Sequence, residues 1–225
     1  MAVSGNDVYV AGYQGNNSPN ARYDIATLWK NGSPVPLSDG NTYAAANSVT
    51  VSGPDVYVAG YRYPTNNTPS PTQAGYWKNG AFTALPDGGE GALAYSVLVS
   101  GTDVYVAGYR HQTTRLDPSH ILGAEVAVYW KNGNLVDLTD AMDFSYGFSI
   151  AVDGPDVYVA GRRCTAPPSP GSSICTGTYW KNGTPVAVGS PAYSLVTSIS
   201  VAGNQRVREC QPAGHEQSPS RVAVE

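Results

Sequence analysis

The sequence predicts an all-β chain folded as a β-propeller, with four full four-stranded blades and the first strand of a fifth. Three observations predict it. The run Val-Ser-Gly-x-Asp-Val-Tyr-Val-Ala-Gly begins at Val3, Val51 and Val99, and returns at Val152 with Asp153 in place of Ser. A Trp-Lys-Asn-Gly follows each run, at Trp29, Trp77, Trp130 and Trp180. The resulting repeat of 48 to 53 residues is rich in Val, Tyr and Trp and cut by Gly turns, and no segment carries a 3.6-residue apolar period. That combination marks one propeller blade rather than a unit of a helical solenoid. The blades are placed at about 3–50, 51–98, 99–151 and 152–200.

The second repeat shows each element in order. Asn47 to Gly53 alternates apolar and small polar residues, the period of a strand. Pro54-Asp55 is expected to make a tight turn, because an Asp side chain can bond the backbone two residues on. Val56-Tyr57-Val58-Ala59-Gly60-Tyr61 is almost wholly apolar, so this second strand is expected to be covered on both faces. A variable stretch follows, Arg62 to Gln73, and Ala74 to Trp77 forms the third strand. Asn79-Gly80 readily takes the positive φ angles of a type I′ hairpin turn. Ala81 to Leu85 is the fourth strand, closed by Asp87-Gly88.

The spacings locate the variable face. From the opening Val to the Gly of Ala-Gly is nine residues in every repeat, and from Trp to the next opening Val is 22, 22, 22 and 21. Length varies between the second and third strands: Gly12 to Trp29 and Gly60 to Trp77 span 17, Gly108 to Trp130 spans 22, and Gly161 to Trp180 spans 19. Strands alternate in direction, so this loop shares a face with the link to the next blade, while the tight turns at Asp55 and Asn79 occupy the opposite face. Insertions gather where they leave packing undisturbed, and that is where recognition is expected.

Composition narrows the function classes. The chain has 225 residues, 13% of them charged, with a formal net charge of −4. No basic stripe is present to bind phosphate, which argues against nucleic acid. No apolar run approaches the roughly 18 residues of a spanning helix. Met1-Ala2-Val3 lacks the regions of a signal peptide and reads as the inside of a blade. Of three cysteines, Cys164 and Cys175 bracket one loop and Cys210 is left over in the tail. Two readings of the bracketing pair stand open, a disulfide in an oxidising compartment or two free thiols. Scarce Lys with abundant Ser, Thr, Asn, Gly and Tyr leans towards an exported protein.

Through Val-Tyr-Val-Ala-Gly-Tyr and Tyr-Trp-Lys-Asn-Gly, the chain resembles a family of bacterial propeller repeats carrying those two motifs, many of them in exported proteins. The resemblance covers residues 1 to about 204. It implies a β-propeller of kelch- or WD-like architecture, commonly at the cell surface, and it carries over no catalytic residue. The Gly-Gly pair of kelch repeats and the Trp-Asp ending of WD repeats are missing here. Tachylectin-type sugar-binding propellers are similar in blade length alone.

The tail departs from the pattern. A fifth repeat begins at Ala192 and keeps to it as far as Asn204, but Gln205-Arg206-Val207-Arg208-Glu209-Cys210 stands where Asp-Val-Tyr-Val is due. Arg-Val-Arg-Glu can be encoded CGU-GUA-CGU-GAG, and a one-base shift reads GUG-UAC-GUG, which is Val-Tyr-Val. A frameshift after Asn204 is therefore expected, with residues 205–225 an aberrant, disordered tail. The alternative is a true divergent terminus. Four blades can close, with Ser194–Gly203 replacing the clipped first strand, whereas more usual rings have five to eight and would make this a truncated ring.

Three features bear on chemistry. Asp39, Asp87 and Asp140 stand ten residues after a Trp in three repeats; a ring of carboxylates could hold Ca²⁺, and the competing reading is a turn that closes the strand. The third repeat's long loop gathers Arg110, His111, Arg115, Asp117, His120 and Glu125, as a metal or acid–base site or as a solvated loop. Asn-Asn-Ser at 16–18 and Asn-Asn-Thr at 66–68 are glycosylation acceptors in a suitable pathway. Tyr9, Tyr57, Tyr105, Tyr158 and the four Trp fall inside repeated strands and are expected in the core. Ligand-binding candidates are therefore the strand-end residues Tyr13, Tyr61, Tyr63, Tyr109, Arg110 and His111. No Gly-rich phosphate loop, nucleophile elbow or Cys/His zinc pattern occurs, and no catalytic residue is assigned. The expectation is a non-enzymatic propeller that presents a protein- or carbohydrate-binding face on its variable loops, without a cofactor, outside the cytoplasm in its full-length parent. The alternatives are a polysaccharide-active enzyme, a lectin, or a non-functional gene fragment.

Overall fold

A computed structural model describes residues 1–15, 23–65, 71–117, 120–140, 144–165, 174–189, 194–201, 207–208 and 220–224. Among these residues the fold is all-β, with four four-stranded antiparallel sheets. The first comprises β1 (Ala2–Ser4), β2 (Asp7–Gln14), β3 (Ile25–Lys30) and β4 (Ser33–Pro36). The second comprises β5 (Ala44–Ser52), β6 (Asp55–Arg62), β7 (Gln73–Lys78) and β8 (Ala81–Ala84). The third holds β9 (Ala92–Ser100), β10 (Asp103–Asp117), β11 (His120–Lys131) and β12 (Asn134–Asp137). The fourth holds β13 (Tyr146–Asp153), β14 (Asp156–Thr165), β15 (Ile174–Lys181) and β16 (Thr184–Ala187). In each sheet the strands lie side by side in chain order. The chain divides into two compact units, Met1–Val106 with Trp130–Leu135, and Ala107–Tyr129 with Val136–Glu225.

Turn chemistry fixes the registers. Asn31, Asn79, Asn132 and Asn182 have φ of 50–51°, and the Gly that follows each is also positive, so every Asn-Gly is a type I′ turn. The first hairpin of the second sheet pairs Ser52 with Asp55, which leaves Gly53-Pro54 as its turn. Gly53 has φ of 57°, as type II′ requires at its first central position, and Gly5, Gly101 and Gly154 repeat it. This corrects the expected role of Asp55, which opens β6 and whose side chain reaches across to the neighbouring hairpin.

That reach is a clasp built four times. Asn79 Nδ2 donates to Asp55 Oδ1 at 2.7 Å, and its Oδ1 accepts the Val56 N–H at 2.9 Å. Lys78 Nζ donates to Asp55 Oδ2 at 2.8 Å and lies 5.2 Å from the Tyr57 ring centroid. Asp7–Lys30–Asn31, Asp103–Lys131–Asn132 and Asp156–Lys181–Asn182 repeat the arrangement. The lysine first, and then the asparagine amide, hold each of these carboxyls below its ordinary pKa, and each lysine is raised in return.

Packing explains the Ala-Gly of the repeat. In β5 a bulge between Ala46 and Ser48 pushes the Ala45 carbonyl towards Gly60, where a Cβ would meet that oxygen at 2.0 Å. In β13 the bulge recurs between Gly147 and Ser149, and a Cβ on Gly161 would meet the Tyr146 oxygen at 1.8 Å. The core of the first unit joins Tyr9, Ala26 and Leu28 of one sheet to Ala44, Val49, Val58 and Trp77 of the next. In the second unit Ala151, Tyr158 and Ala160 pack on Val196 and Ile199 of β17 (Val196–Val201). Trp77, Trp130 and Trp180 are fully buried, while Trp29 is half-buried.

Two segments differ from the expected pattern. The third repeat's long loop is largely strand, because β10 and β11 run on as an extended hairpin. The tail contributes β18 (Val207–Arg208) and β19 (Ser220–Val224), and β19 pairs parallel with β17 where a blade would place an antiparallel neighbour. The rest of the proposed tail, with Cys210, lies outside the described residues.

Candidate functional site

The sequence-predicted ligand residues belong to the second strand of each repeat: Tyr13, Tyr61 and Tyr63 stand near or just past its end, whereas Tyr109, Arg110 and His111 fall in mid-strand because β10 runs on to Asp117. In the first unit Tyr13 and Tyr61 are the next-to-last residues of β2 and β6, and Tyr63 follows β6. Two further tyrosines join them from the loops. Tyr23 and Tyr43 meet edge-on with ring centroids 5.0 Å apart, and Tyr43 meets Tyr63 at 6.2 Å. Tyr13 is 60% exposed and Tyr43 44%. Burial raises the Tyr61 hydroxyl pKa, and Tyr63, Tyr13, the Asp24 carboxylate and Tyr43 raise it further. The clustering has a backbone cause. The Asp24 carbonyl accepts the Ala44 N–H at 3.2 Å, and the Tyr43 carbonyl accepts the Tyr63 N–H at 2.8 Å, which ties the loop before β3 to the start of the next sheet.

In the second unit the alternation of β10 separates the predicted residues. Tyr109 and His111 lie on one side, where Tyr109 meets His111 at 5.3 Å and Tyr146 at 4.8 Å. Arg162, in the place that Tyr61 takes in the second repeat, lies over Tyr146 at 4.5 Å. His111 Nδ1 is 4.0 Å from Glu125 Oε1. Burial raises the Tyr146 pKa, Glu125 adds to it and Arg162 opposes it. Glu125 Oε2, Arg162 Nε and Ser145 Oγ are buried without a hydrogen-bond partner, which marks an incompletely satisfied polar centre.

Arg110 turns the other way. Its Nε and one terminal nitrogen grip the two Asp137 oxygens at 2.8 Å each, and the same terminal nitrogen donates to Gln112 Oε1. Arg110, Gln112 and Asp137, with Leu138, Thr139, Asp140, Arg163 and Pro185, line an open cavity of about 460 Å³. Beside it Cys164 and Cys175 face each other across β14 and β15 and form a disulfide. A bridge of this kind persists in oxidising compartments.

The repeated aspartates sit in separate settings. Asp39 accepts the Asn41 backbone N–H at 3.0 Å and the Asn41 side-chain amide at 2.7 Å, which lower its pKa in that order. Asp87 accepts the Gly89 N–H at 2.7 Å. Both close turns. Asp140 lines the cavity. Among the described residues no three His, Cys, Asp or Glu gather as a metal site, and no helix is long and apolar enough to cross a membrane. The side chains of Arg115, Asp117 and His120, and the sequons at 16–18 and 66–68, lie outside the described residues.

The sequence reasoning missed Tyr23, Tyr43 and Arg162. The signal for Arg162 was the residue after Ala-Gly, which reads Tyr13, Tyr61, Tyr109 and then Arg162. Tyr23 and Tyr43 stand outside the repeated motif, and aromatic residues in variable segments were the available clue. No family model matches the chain, and no curated protein matches it.

Proposed function

We propose that this chain is a non-enzymatic, exported binding module whose four sheets are blades of a β-propeller, and that it holds carbohydrate on the surface formed by Tyr13, Tyr23, Tyr43, Tyr61 and Tyr63. The edge-on chain of Tyr23, Tyr43 and Tyr63, beside a Tyr61 that feels Tyr13 and the Asp24 carboxylate, carries the reading. A tyrosine ring offers a flat, electron-rich face to the C–H face of a sugar, and only two side-chain torsions need to be held. The Asp24 carboxylate accepts from sugar hydroxyls at the rim. Support for the architecture comes from the four antiparallel sheets, the fourfold clasp and the sheet-to-sheet backbone links. The disulfide supports export. The turn-closing roles of Asp39 and Asp87 favour binding over glycoside hydrolysis, which needs a pair of poised carboxyl groups.

A glycan array probed with the full chain tests this. The expected result is selective glycan binding that Tyr43→Ala and Tyr61→Ala each weaken by about tenfold or more, the scale of losing one aromatic contact at a binding hot spot. An array without hits, or hits indifferent to both substitutions, overturns it.

A further inference from the structure

The cavity beside Arg110 lies where one seam between successive repeats differs from the seam before it. In the first unit the indole N–H of Trp130 donates to the Pro86 carbonyl at 2.8 Å and closes the seam between successive repeats. Trp180 is the same residue one repeat later, and Thr139 stands where Pro86 did. Here the bond is not made. The Trp180 side chain is fully buried, its Nε1 has no partner, and Thr139 lines the cavity instead.

The lining selects a ligand chemistry. Two guanidinium groups and two carboxylates balance in charge, so neither an anion nor a cation is favoured. The Arg110 guanidinium is held by both oxygens of Asp137 and the side chain is only 12% exposed, so this wall is preorganised. Thr139 Oγ1 accepts the Ala127 N–H at 3.2 Å, which leaves its proton to donate. The wall therefore offers both donors and acceptors, and it also carries Pro185 and Leu138. A hydroxyl group is donor and acceptor at once, and a ring of them on a neutral carbon frame matches such a wall.

We propose that this cavity binds a segment of neutral oligosaccharide, as a site separate from the tyrosine surface. The charge balance and the unclosed seam carry the proposal, and it stands whether or not the tyrosine surface binds. The test is isothermal titration of the full chain with neutral hexasaccharides of glucose, N-acetylglucosamine, mannose and xylose, and with a hexauronate as the charged control. At least one neutral hexasaccharide is expected to bind, with affinity falling about tenfold or more in Asp140→Ala, since a hydrogen bond to a charged group is lost. Asp140→Asn, which keeps the shape, is expected to weaken the same event, and serves if the alanine variant does not fold. Tyr61→Ala is expected to leave that event unchanged. Absence of binding by every neutral probe overturns the proposal. So does binding that only Tyr61→Ala weakens, a result that would still support the tyrosine surface, and so does preference for the hexauronate.

Discussion

Gly12, Gly60 and Gly161 occupy the same place in the same motif, yet their replacement by alanine has different consequences. At Gly60 the new methyl would lie 2.0 Å from the Ala45 carbonyl oxygen and 2.9 Å from the Trp77 ring. At Gly161 it would lie 1.8 Å from the Tyr146 oxygen. Both obstacles are backbone, held by the bulge of the first strand, and must retreat by about 1.5 Å to restore ordinary contact. At Gly12 the nearest atom is a Trp29 ring carbon at 3.1 Å, with no carbonyl nearby, because β1 is too short to reach that level. Overpacking against backbone costs about 3 kcal/mol, which in a chain of this size lowers Tm by about 6–12 °C. The Trp29 ring can yield, so Gly12→Ala is expected to stay within about 1 kcal/mol of the parent. Thermal unfolding followed by near-ultraviolet circular dichroism reads the difference. Equal losses at Gly12 and Gly60, or tolerance of alanine at both Gly60 and Gly161, would refute the bulge argument.

Three other outcomes follow from the clasp and the bridge. Asn79→Ala is expected to cost about 2 kcal/mol more than Asn79→Gly, since both lose the side-chain bonds but alanine alone is strained at positive φ; urea midpoints of the two variants give the comparison, and equal midpoints would count against it. Asp7, Asp55, Asp103 and Asp156 have folded-state pKa values below the ordinary 3.8, so their stabilisation is complete above that value and lost as pH falls through the lowered ones. Tm is therefore expected to be flat near pH 5–7 and to fall below about pH 4, less steeply in Asp55→Asn, and a pH-independent Tm down to pH 2 would contradict the clasp. Reducing the Cys164–Cys175 bridge, which closes a separation of 11 residues, is expected to cost about 3 kcal/mol by loop entropy, read as the Tm difference with and without dithiothreitol.

The repeat made much of the fold legible. Asn-Gly announces its turn because few other pairs accept two successive positive φ angles, and all four turned out so. Asp55 was misread because the Asx-turn habit of aspartate is local, whereas its partners Lys78 and Asn79 arrive from another hairpin. Their recurrence beside every Asp-Val-Tyr was the available clue. The β10–β11 extension carries charged residues that resemble a solvated loop, but a hairpin is held by backbone pairing whatever its side chains. At the sites, position after a motif found Tyr61 and Tyr63, but convergence of separate loops brought in Tyr23 and Tyr43, and alternation along β10 parted Arg110 from Tyr109 and His111.

The central claim is that Tyr13, Tyr23, Tyr43, Tyr61 and Tyr63 form the binding surface. The direct measurement is a carbon-resolved NMR titration of protein labelled in its tyrosine rings, with a saccharide chosen from the array. The signals of Tyr13, Tyr23, Tyr43, Tyr61 and Tyr63 are expected to move together and saturate, while those of the buried Tyr9, Tyr57, Tyr105 and Tyr158 stay in place. Saturable binding that leaves the first five unmoved would contradict the account.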